Sequence, residues 1–182
     1  MRTTGLTYDD LLEMFPEETN QRVELIGGEL IVTPSGTPRH QRTVVKIVGR
    51  LLAYEQERGG RVYPAPLDVW LTERDVLQPD VLFLLPGSLE KQEPALIRSA
   101  PDLAIEVSSP STRQDDLGRK LDLYARHGVA EYWFVDLEAG RIEVRALRGS
   151  AYAEPETYGR GETLRSRVLE GFTAAVDNLL GD

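Results

Sequence analysis

Short apolar segments separated by polar turns make up most of this chain, and a few longer segments repeat their apolar residues at helical spacing. Residues 22–26 and 29–33 flank the pair Gly27-Gly28, which predicts a β-hairpin with a two-residue turn. Between about residues 39 and 57, apolar residues return every three or four positions, which predicts a long helix that Gly59-Gly60 ends. We therefore expect a hairpin followed by a long helix in the first third of the chain.

Further short elements are predicted on either side of these two. Residues 7–10 resemble a capping box, which opens a short helix that we expect Pro16 to end. Residues 61–71 and 79–85 have the composition of two strands, joined by a polar connection at residues 72–75.

The second half of the chain alternates between strand and helix patterns. Residues 103–108 predict a buried strand, and Ser111 or Thr112 can cap a helix that runs to about Arg126. Two further strands and a closing helix are predicted at residues 131–136, 141–147 and 172–180. Because no repeat or linker divides the chain, we predict one domain over residues 1–182, an α/β fold with a mixed β-sheet flanked by α-helices.

Composition limits the kinds of protein this can be. The 182 residues suffice for a buried core, and the absence of cysteine excludes disulfides and thiolate metal sites. No apolar segment approaches the length needed to span a bilayer, so we expect a cytoplasmic protein with no membrane partner. The net charge of −9 argues against a protein that coats DNA by bulk electrostatics, but it leaves room for a local nucleic-acid site.

A single carboxylate, Glu106, interrupts the apolar strand at residues 103–108. Burying an unpaired charge costs several kcal/mol or shifts its pKa until it neutralises, so Glu106 needs a partner. An arginine would make Glu106 a structural residue, whereas a divalent cation shared with a second carboxylate would make it catalytic. The candidates are Asp80 as the second carboxylate and Lys120 as a nearby cation.

The predicted elements allow these side chains to meet. Glu106 and Ser108 project to the same face of their strand because side chains alternate. Lys120 is expected at the edge of the inward stripe of its helix, from which its ammonium can lean over the sheet. Asp80 follows Pro79 where the chain enters the sheet. Paired carboxylates favour Mg²⁺ or Mn²⁺, and a lysine beside such an ion suits phosphodiester hydrolysis.

Each of these residues also has a structural interpretation. Asp80 can be a turn residue after proline, and Lys120 can form an exposed helix salt bridge with Asp116. A basic stripe of four residues on the long helix is either a solvated face or a phosphate-binding surface. That stripe comprises Arg39, Arg42, Lys46 and Arg50.

Two resemblances narrow these alternatives. Pro79-Asp80, Ile105-Glu106-Val107 and Lys120 in the following helix resemble the PD-(D/E)xK nuclease superfamily. A longer set of segments resembles, in the same order, the bacterial Uma-two family of restriction-endonuclease-like proteins. Its members here are residues 24–30, His40, residues 79–81, residues 101–103, residues 110–112, Lys120 and residues 124–136.

The resemblance implies a restriction-endonuclease-like fold and a Mg²⁺ site. Asp80 and Glu106 would hold the ion, with the Val107 carbonyl as a further ligand, and Lys120 would orient water and phosphate. Ser108 departs from the literal superfamily motif, where a lysine would stand, and Lys120 matches the variant in which that lysine comes from the next helix. The family match also places Glu24 and His40 near the site.

We therefore expect a Mg²⁺-dependent nuclease, with Mn²⁺ as a substitute, that acts on nucleic acid and most simply on DNA. Two alternatives remain open at this point: a binding or regulatory module that keeps the fold without cutting, and a metal-dependent hydrolase of a small phosphorylated molecule. A homodimer would suit an enzyme that cuts both strands, although no interface stripe is visible in the sequence.

Overall fold

The computed structural model describes residues 4–15, 22–110 and 112–181. Within these ranges the helices are α1 (Tyr8–Met14), α2 (Pro38–Arg58), α3 (Arg113–Asp116), α4 (Arg119–Arg126) and α5 (Val176–Leu179). The strands are β1 (Arg22–Ile26), β2 (Glu29–Thr33), β3 (Arg61–Pro64), β4 (Asp68–Thr72), β5 (Asp75–Leu77), β6 (Val81–Leu84), β7 (Leu96–Arg98), β8 (Leu103–Val107), β9 (Glu131–Asp136), β10 (Arg141–Arg148), β11 (Ala151–Tyr152), β12 (Glu156–Gly159), β13 (Thr163–Arg165) and β14 (Thr173–Ala175).

The central sheet is mixed and has the strand order β11-β10-β9-β8-β6-β3, with β12 also pairing with β10. Its β8 and β9 are parallel, whereas β6 pairs with β8 in the antiparallel sense. A second sheet has the order β2-β1-β5-β4-β7, and β13 and β14 form a two-stranded ribbon. The predicted α/β fold with a mixed sheet flanked by helices is confirmed.

Helices cover the two faces of the central sheet. On one face, Ile47 and Leu51 of α2 pack in a cluster with Ile105, Val107 and Trp133. Each such side chain contributes about 1.5–3 kcal/mol when it is fully buried.

The opposite face lies under α4. There Tyr124 packs in a cluster with Ala104, Tyr132 and Phe134. Since side chains alternate along a strand, Glu106 lies on the same face of β8 as Ala104, towards α4.

Several predicted elements are present with the expected ends. The β1–β2 hairpin turns at Gly27 and Gly28, whose φ angles of 61° and 76° suit a residue without a Cβ. The capping box before α1 forms between Thr7 and Asp10. Pro16 and Ser111 lie outside the described residues, so the helix end and the cap predicted there stay predictions.

Other predictions were wrong in detail. The segment predicted as one strand at residues 61–71 is two strands, β3 and β4, in different sheets. The first ends at Pro64, and Pro66, which has no N–H to donate, lies in the connection to the second. The polar connection at residues 72–75 is a turn into β5. The helix predicted to start near Thr112 is broken between α3 and α4 around Gly118, and the closing segment is a strand followed by only one helical turn. Among the described helices none is both long and apolar enough to cross a membrane.

Candidate active site

Asp80 and Glu106 lie side by side at the floor of a cleft of about 880 Å³. Asp80 comes directly before β6, and the register that pairs Val81 with Ile105 places Asp80 opposite Glu106. The Val107 backbone N–H donates to Asp80 Oδ2 at 2.7 Å, which fixes that carboxylate against β8. The two carboxylates are thus positioned by the pairing of two neighbouring strands.

The guanidinium of Arg22, the first residue of β1, bridges these two carboxylates. Its Nη1 lies 2.5 Å from Asp80 Oδ1, and its Nη2 lies 3.3 Å from Glu106 Oε2. The same Nη2 also donates to the Gln78 carbonyl. The arginine partner that was one of the two alternatives for Glu106 is therefore present, and Asp80 shares it.

Lys120 reaches Glu106 from the side opposite Arg22. Its Nζ lies 2.9 Å from Glu24 Oε2, 3.2 Å from Glu106 Oε1 and 3.5 Å from Asp116 Oδ1. Tyr124, one turn later on α4, donates its hydroxyl to the same Glu106 oxygen at 2.9 Å. Glu106 is thus held between a cation on each side and a phenol.

Lys120 was predicted at the edge of the inward stripe of its helix, and the structure places it deeper than that. Lys120 is 1% exposed and lies at the centre of the buried face of α4. Its ion pair with Asp116 exists, but it is buried rather than exposed as expected. Lys120 and Glu24 line a small separate cavity of about 40 Å³, so they lie behind the carboxylate pair rather than on the wall of the main cleft.

His40 approaches Asp80 from the first turn of α2. Its Nε2 lies 3.4 Å from Asp80 Oδ2, and the ring is buried. A Cβ at Gly36 would come within 2.7 Å of His40 Nδ1, so the loop before α2 needs glycine there for the ring to fit. Thr37 caps the helix and accepts from the His40 N–H at 3.2 Å.

The buried charges of this cluster do not balance. Four carboxylates surround the two cations Arg22 and Lys120, which leaves an excess of two negative charges when all six are ionised and His40 is neutral. The carboxylates belong to Glu24, Asp80, Glu106 and Asp116. Burying that excess is unfavourable, and the groups respond by shifting their pKa values.

The shifts differ among the carboxylates. Burial raises the pKa of Glu106 to about 8, although Lys120 opposes the shift. Burial likewise raises the pKa of Asp116 to about 6 against the effect of Lys120. Burial alone would raise the pKa of Asp80, but Arg22 and His40 outweigh it and lower the value to about 2. Glu106 and Asp116 therefore bind a proton more readily than usual, whereas Asp80 stays ionised beside Arg22 and His40.

The basic stripe of α2 contacts the C-terminal segment. Lys46 Nζ donates to the Leu180 carbonyl at 2.5 Å, Arg39 Nε donates to the Gly181 carbonyl at 3.3 Å, and Arg50 Nη2 donates to the Thr173 carbonyl at 3.0 Å. Arg39 also lines the main cleft, and Arg42 is exposed. Within this stripe only Arg39 borders the carboxylate pair's cleft, and phosphate binding by the stripe stays a prediction.

Comparison with known proteins now identifies the family. The profile of the Uma2 family, described as "Putative restriction endonuclease", matches residues 8–177. The chain belongs to the Uma2 family. A solved structure from Anabaena variabilis ATCC 29413, described as "a putative nuclease belonging to DUF820", is similar over 96% of this chain and 97% of that one, with a TM-score of 0.79 and 20% identity. No curated protein matches the chain.

Uma2 membership confirms the resemblance predicted from the sequence, and the similar structure confirms the restriction-endonuclease-like fold. The predicted site residues fall into two groups in this Uma2 protein. Asp80, Glu106, Val107 and His40 line the main cleft, whereas Glu24 and Lys120 support it from behind. All six are thus brought into one neighbourhood.

The donor set of the cleft suits a hard cation such as Mg²⁺. Asp80 and Glu106 share one guanidinium, so their oxygens lie within reach of a single cation between them. Carboxylate and carbonyl oxygens are the ligands that Mg²⁺ takes, with water completing the coordination. In the described part of the chain no three His, Cys, Asp or Glu side chains form a complete metal cage. A metal here would therefore rely on the carboxylate pair, the backbone and water.

Arg22 is absent from the predicted site and Asp116 is predicted only as a surface partner of Lys120, yet two simple signals point to them. Arg22 stands two residues before Glu24 on a strand, so both side chains project to the same face. Asp116 stands four residues before Lys120, so the two side chains lie on the same face of a helical segment. Two further acids lie near strand ends: Asp68 borders the cleft, whereas Asp102 accepts from the Leu85 N–H at 2.7 Å.

Proposed function

We propose that this Uma2 protein is a metal-dependent nuclease that hydrolyses phosphodiester bonds in DNA, with Asp80 and Glu106 as the ligands of Mg²⁺. The observation that supports the proposal best is the charge imbalance of the buried cluster. Four carboxylates face two cations, and a divalent ion would bring the two positive charges that the cluster lacks.

The imbalance favours catalysis over a purely structural role. A structural ion pair is stable when each charge has a partner and its remaining lone pairs are satisfied. Here the nearest cation to the Asp116 carboxylate is Lys120, whose Nζ lies 3.5 Å from Asp116 Oδ1. Pairs of acids whose environments push their pKa values apart are typical of active sites, and Asp80 and Glu106 are such a pair.

The role of each residue in the proposed reaction would depend on its position relative to the cleft. A bound Mg²⁺ supplies a Lewis acid for the phosphate and a site at which water is acidified. Lys120 opposes the protonation of Glu106 and orients it from behind the cleft, and Glu24 keeps Lys120 in place. His40, which lies in the cleft wall beside Asp80, is the group best placed to accept a proton from the attacking water.

DNA is the proposed substrate because the family description names restriction endonucleases. The net charge of −9 means that binding has to depend on local contacts rather than on the field of the whole protein. Arg39 and Arg22 line the cleft that holds the carboxylate pair, so they are the nearest cations for a phosphate.

The test is nicking of supercoiled plasmid in Mg²⁺ or Mn²⁺ by wild type, Asp80→Asn and Glu106→Gln. We expect the wild type to nick and both variants to lose at least about 100-fold in rate, because the metal contributes several kcal/mol to the transition state. Glu93→Gln, which alters an exposed ion pair with Arg98, is the matched control and should cut normally.

One observation favours a different function. Arg22 already pairs with both carboxylates, which is the arrangement expected of a nuclease fold that binds nucleic acid without cutting it. A wild-type protein that binds DNA, binds no Mn²⁺ and cuts neither DNA nor RNA would establish this second function and contradict the first.

A further inference from the structure

Arg22 lies where a divalent ion would have to bind. Its guanidinium contacts Asp80 on one side and Glu106 on the other, at 2.5 Å and 3.3 Å. An ion that bridges these two carboxylates needs the same oxygens and the same space. The guanidinium and the ion cannot both occupy it.

The side chain of Arg22 can turn away from the two carboxylates while its backbone stays in place. Its backbone is fixed in β1, where Arg22 pairs with Thr33, so only the side chain has to turn. The side chain is 17% exposed and lines the main cleft, so the cleft has space for it when it turns. Its Nε is buried without a hydrogen-bond partner among the described residues, so the present position leaves one donor unsatisfied.

The charges of Asp80 and Glu106 also explain why a cation lies between them in the metal-free protein. Without a cation between them, Asp80 and Glu106 would face each other as uncompensated charges, and removing one partner of a buried ion pair is strongly destabilising. A guanidinium spans two carboxylates well because it is planar and carries several donors. Arg22 therefore does in the metal-free protein what an ion does in the metal-bound one.

We propose that Arg22 is a resident cation of the metal site, that it competes with the divalent ion for Asp80 and Glu106, and that it turns into the cleft when the ion binds. This inference rests on the proposed metal site. In the turned position the guanidinium stays within the cleft, beside the bound ion, where the phosphate of a substrate would lie.

The experiment is a titration with Mn²⁺ alone, followed by the EPR signal of the free ion, on wild type and Arg22→Gln. Removing the competing cation also removes its repulsion of the ion, so we expect Arg22→Gln to bind Mn²⁺ at least about 10-fold more tightly than wild type. The matched control is Arg98→Gln, which makes the same change of net charge at an exposed pair with Glu93 and should bind like wild type.

The thermal stability of the same proteins gives a second readout. In EDTA we expect Arg22→Gln to melt at a lower temperature than wild type, because Asp80 and Glu106 lose their shared cation. Saturating Mn²⁺ should raise its melting temperature more than it raises that of wild type. If Arg22→Gln does not fold in EDTA, Arg22→Lys replaces it. A lysine ammonium lacks the planar fork with which the guanidinium spans both carboxylates, so it should hold them less firmly and Mn²⁺ binding should again be tighter than in wild type.

The outcomes separate this inference from the proposed function. Wild type that binds Mn²⁺ in an Asp80-dependent way, with Arg22→Gln binding equally or more weakly, overturns the competition and leaves the metal site intact. Absence of Mn²⁺ binding in both wild type and Arg22→Gln overturns both. Binding by Arg22→Gln with none by wild type supports the competition in its strongest form.

Discussion

Two buried glutamates on neighbouring parallel strands have very different surroundings. Glu106 on β8 and Glu131 on β9 are each 1% exposed. Among the described residues, Glu131 accepts from neutral donors: Trp133 Nε1 at 2.6 Å, Ser166 Oγ at 2.7 Å, and the backbone N–H groups of Arg167 and Val168 at 2.6 Å and 3.2 Å. Glu106 instead depends on two side-chain cations and a phenol.

The difference teaches how to tell a structural carboxylate from a functional one. The donors of Glu131 belong to the backbone and to short side chains, so they satisfy it in one fixed geometry and tie the segment at residues 166–168 to the sheet. The cations of Glu106 sit on long side chains and are shared with other acids, and under our proposal a divalent ion replaces one of them, Arg22. Burial alone would not distinguish the two residues, whereas the kind of partner does.

The largest effect should come from making the same conservative change at both glutamates. Glu106→Gln should lower nicking by at least about 100-fold with little change in folding, because it removes a proposed metal ligand. Glu131→Gln should leave the rate per folded molecule unchanged but lower the free energy of unfolding by about 2–3 kcal/mol, because the amide nitrogen that replaces one oxygen cannot accept from the two donors that face it. Plasmid nicking and urea unfolding measure the two quantities.

The distinction between Glu106 and Glu131 is contradicted if the two variants have the same effect on cutting and on stability. A Glu131→Gln protein that folds stably and does not cut would mean that Glu131 also serves the reaction. A Glu106→Gln protein that cuts normally would move the reaction away from β8.

Removing the cation behind Glu106 should cost stability as well as activity. Lys120→Met leaves Glu24 and Asp116 without their nearest cation, and we expect the free energy of unfolding to fall by about 3 kcal/mol. Adding Glu24→Gln should restore part of that stability by deleting one excess charge, and the double variant should still not cut. Full recovery of cutting in the double variant would show that Lys120 matters only for folding.

Asp116 should make the free energy of unfolding depend on pH, whereas asparagine at the same position should not. Its pKa rises to about 6 in the folded protein, above the usual value of 3.8, mainly because of burial. The folded state therefore binds the proton more tightly than the unfolded state does, so the stabilisation is complete below about pH 4 and is lost as pH rises through 6.

At pH 4, where Asp116 is protonated, Asp116→Asn and wild type should be equally stable. At pH 7 the variant should be more stable by on the order of 2 kcal/mol, because it carries no charge to bury. Urea unfolding across this range measures the difference. A constant difference between the two proteins from pH 4 to pH 7 would contradict the assignment of the raised pKa to Asp116.

Much of the fold and the main residues of the site could be predicted from the sequence, because local signals determine them. The Gly27-Gly28 turn, the period of α2 and the odd carboxylate in an apolar strand are each readable within a few residues. The bridge made by Arg22 could not be predicted in this way, because its two partners are distant in the sequence. Asp80 lies 58 positions and Glu106 lies 84 positions after Arg22. The depth of Lys120 depends likewise on the break at Gly118, which rotates α4 relative to a continuous helix.

The smallest effects should come from the basic stripe of α2. Like Glu131, this stripe contacts the C-terminal part of the chain. Lys46 holds the C-terminal segment through the Leu180 carbonyl, as Glu131 holds it at residues 166–168, so Lys46→Met should lower the free energy of unfolding by about 1 kcal/mol. Arg42 is exposed, so Arg42→Ala should change stability by no more than about 0.5 kcal/mol. If the stripe also binds phosphate, Arg42→Ala should reduce the salt dependence of DNA binding by about one unit of log–log slope. An unchanged slope would make the stripe purely structural, because its other members already have backbone partners.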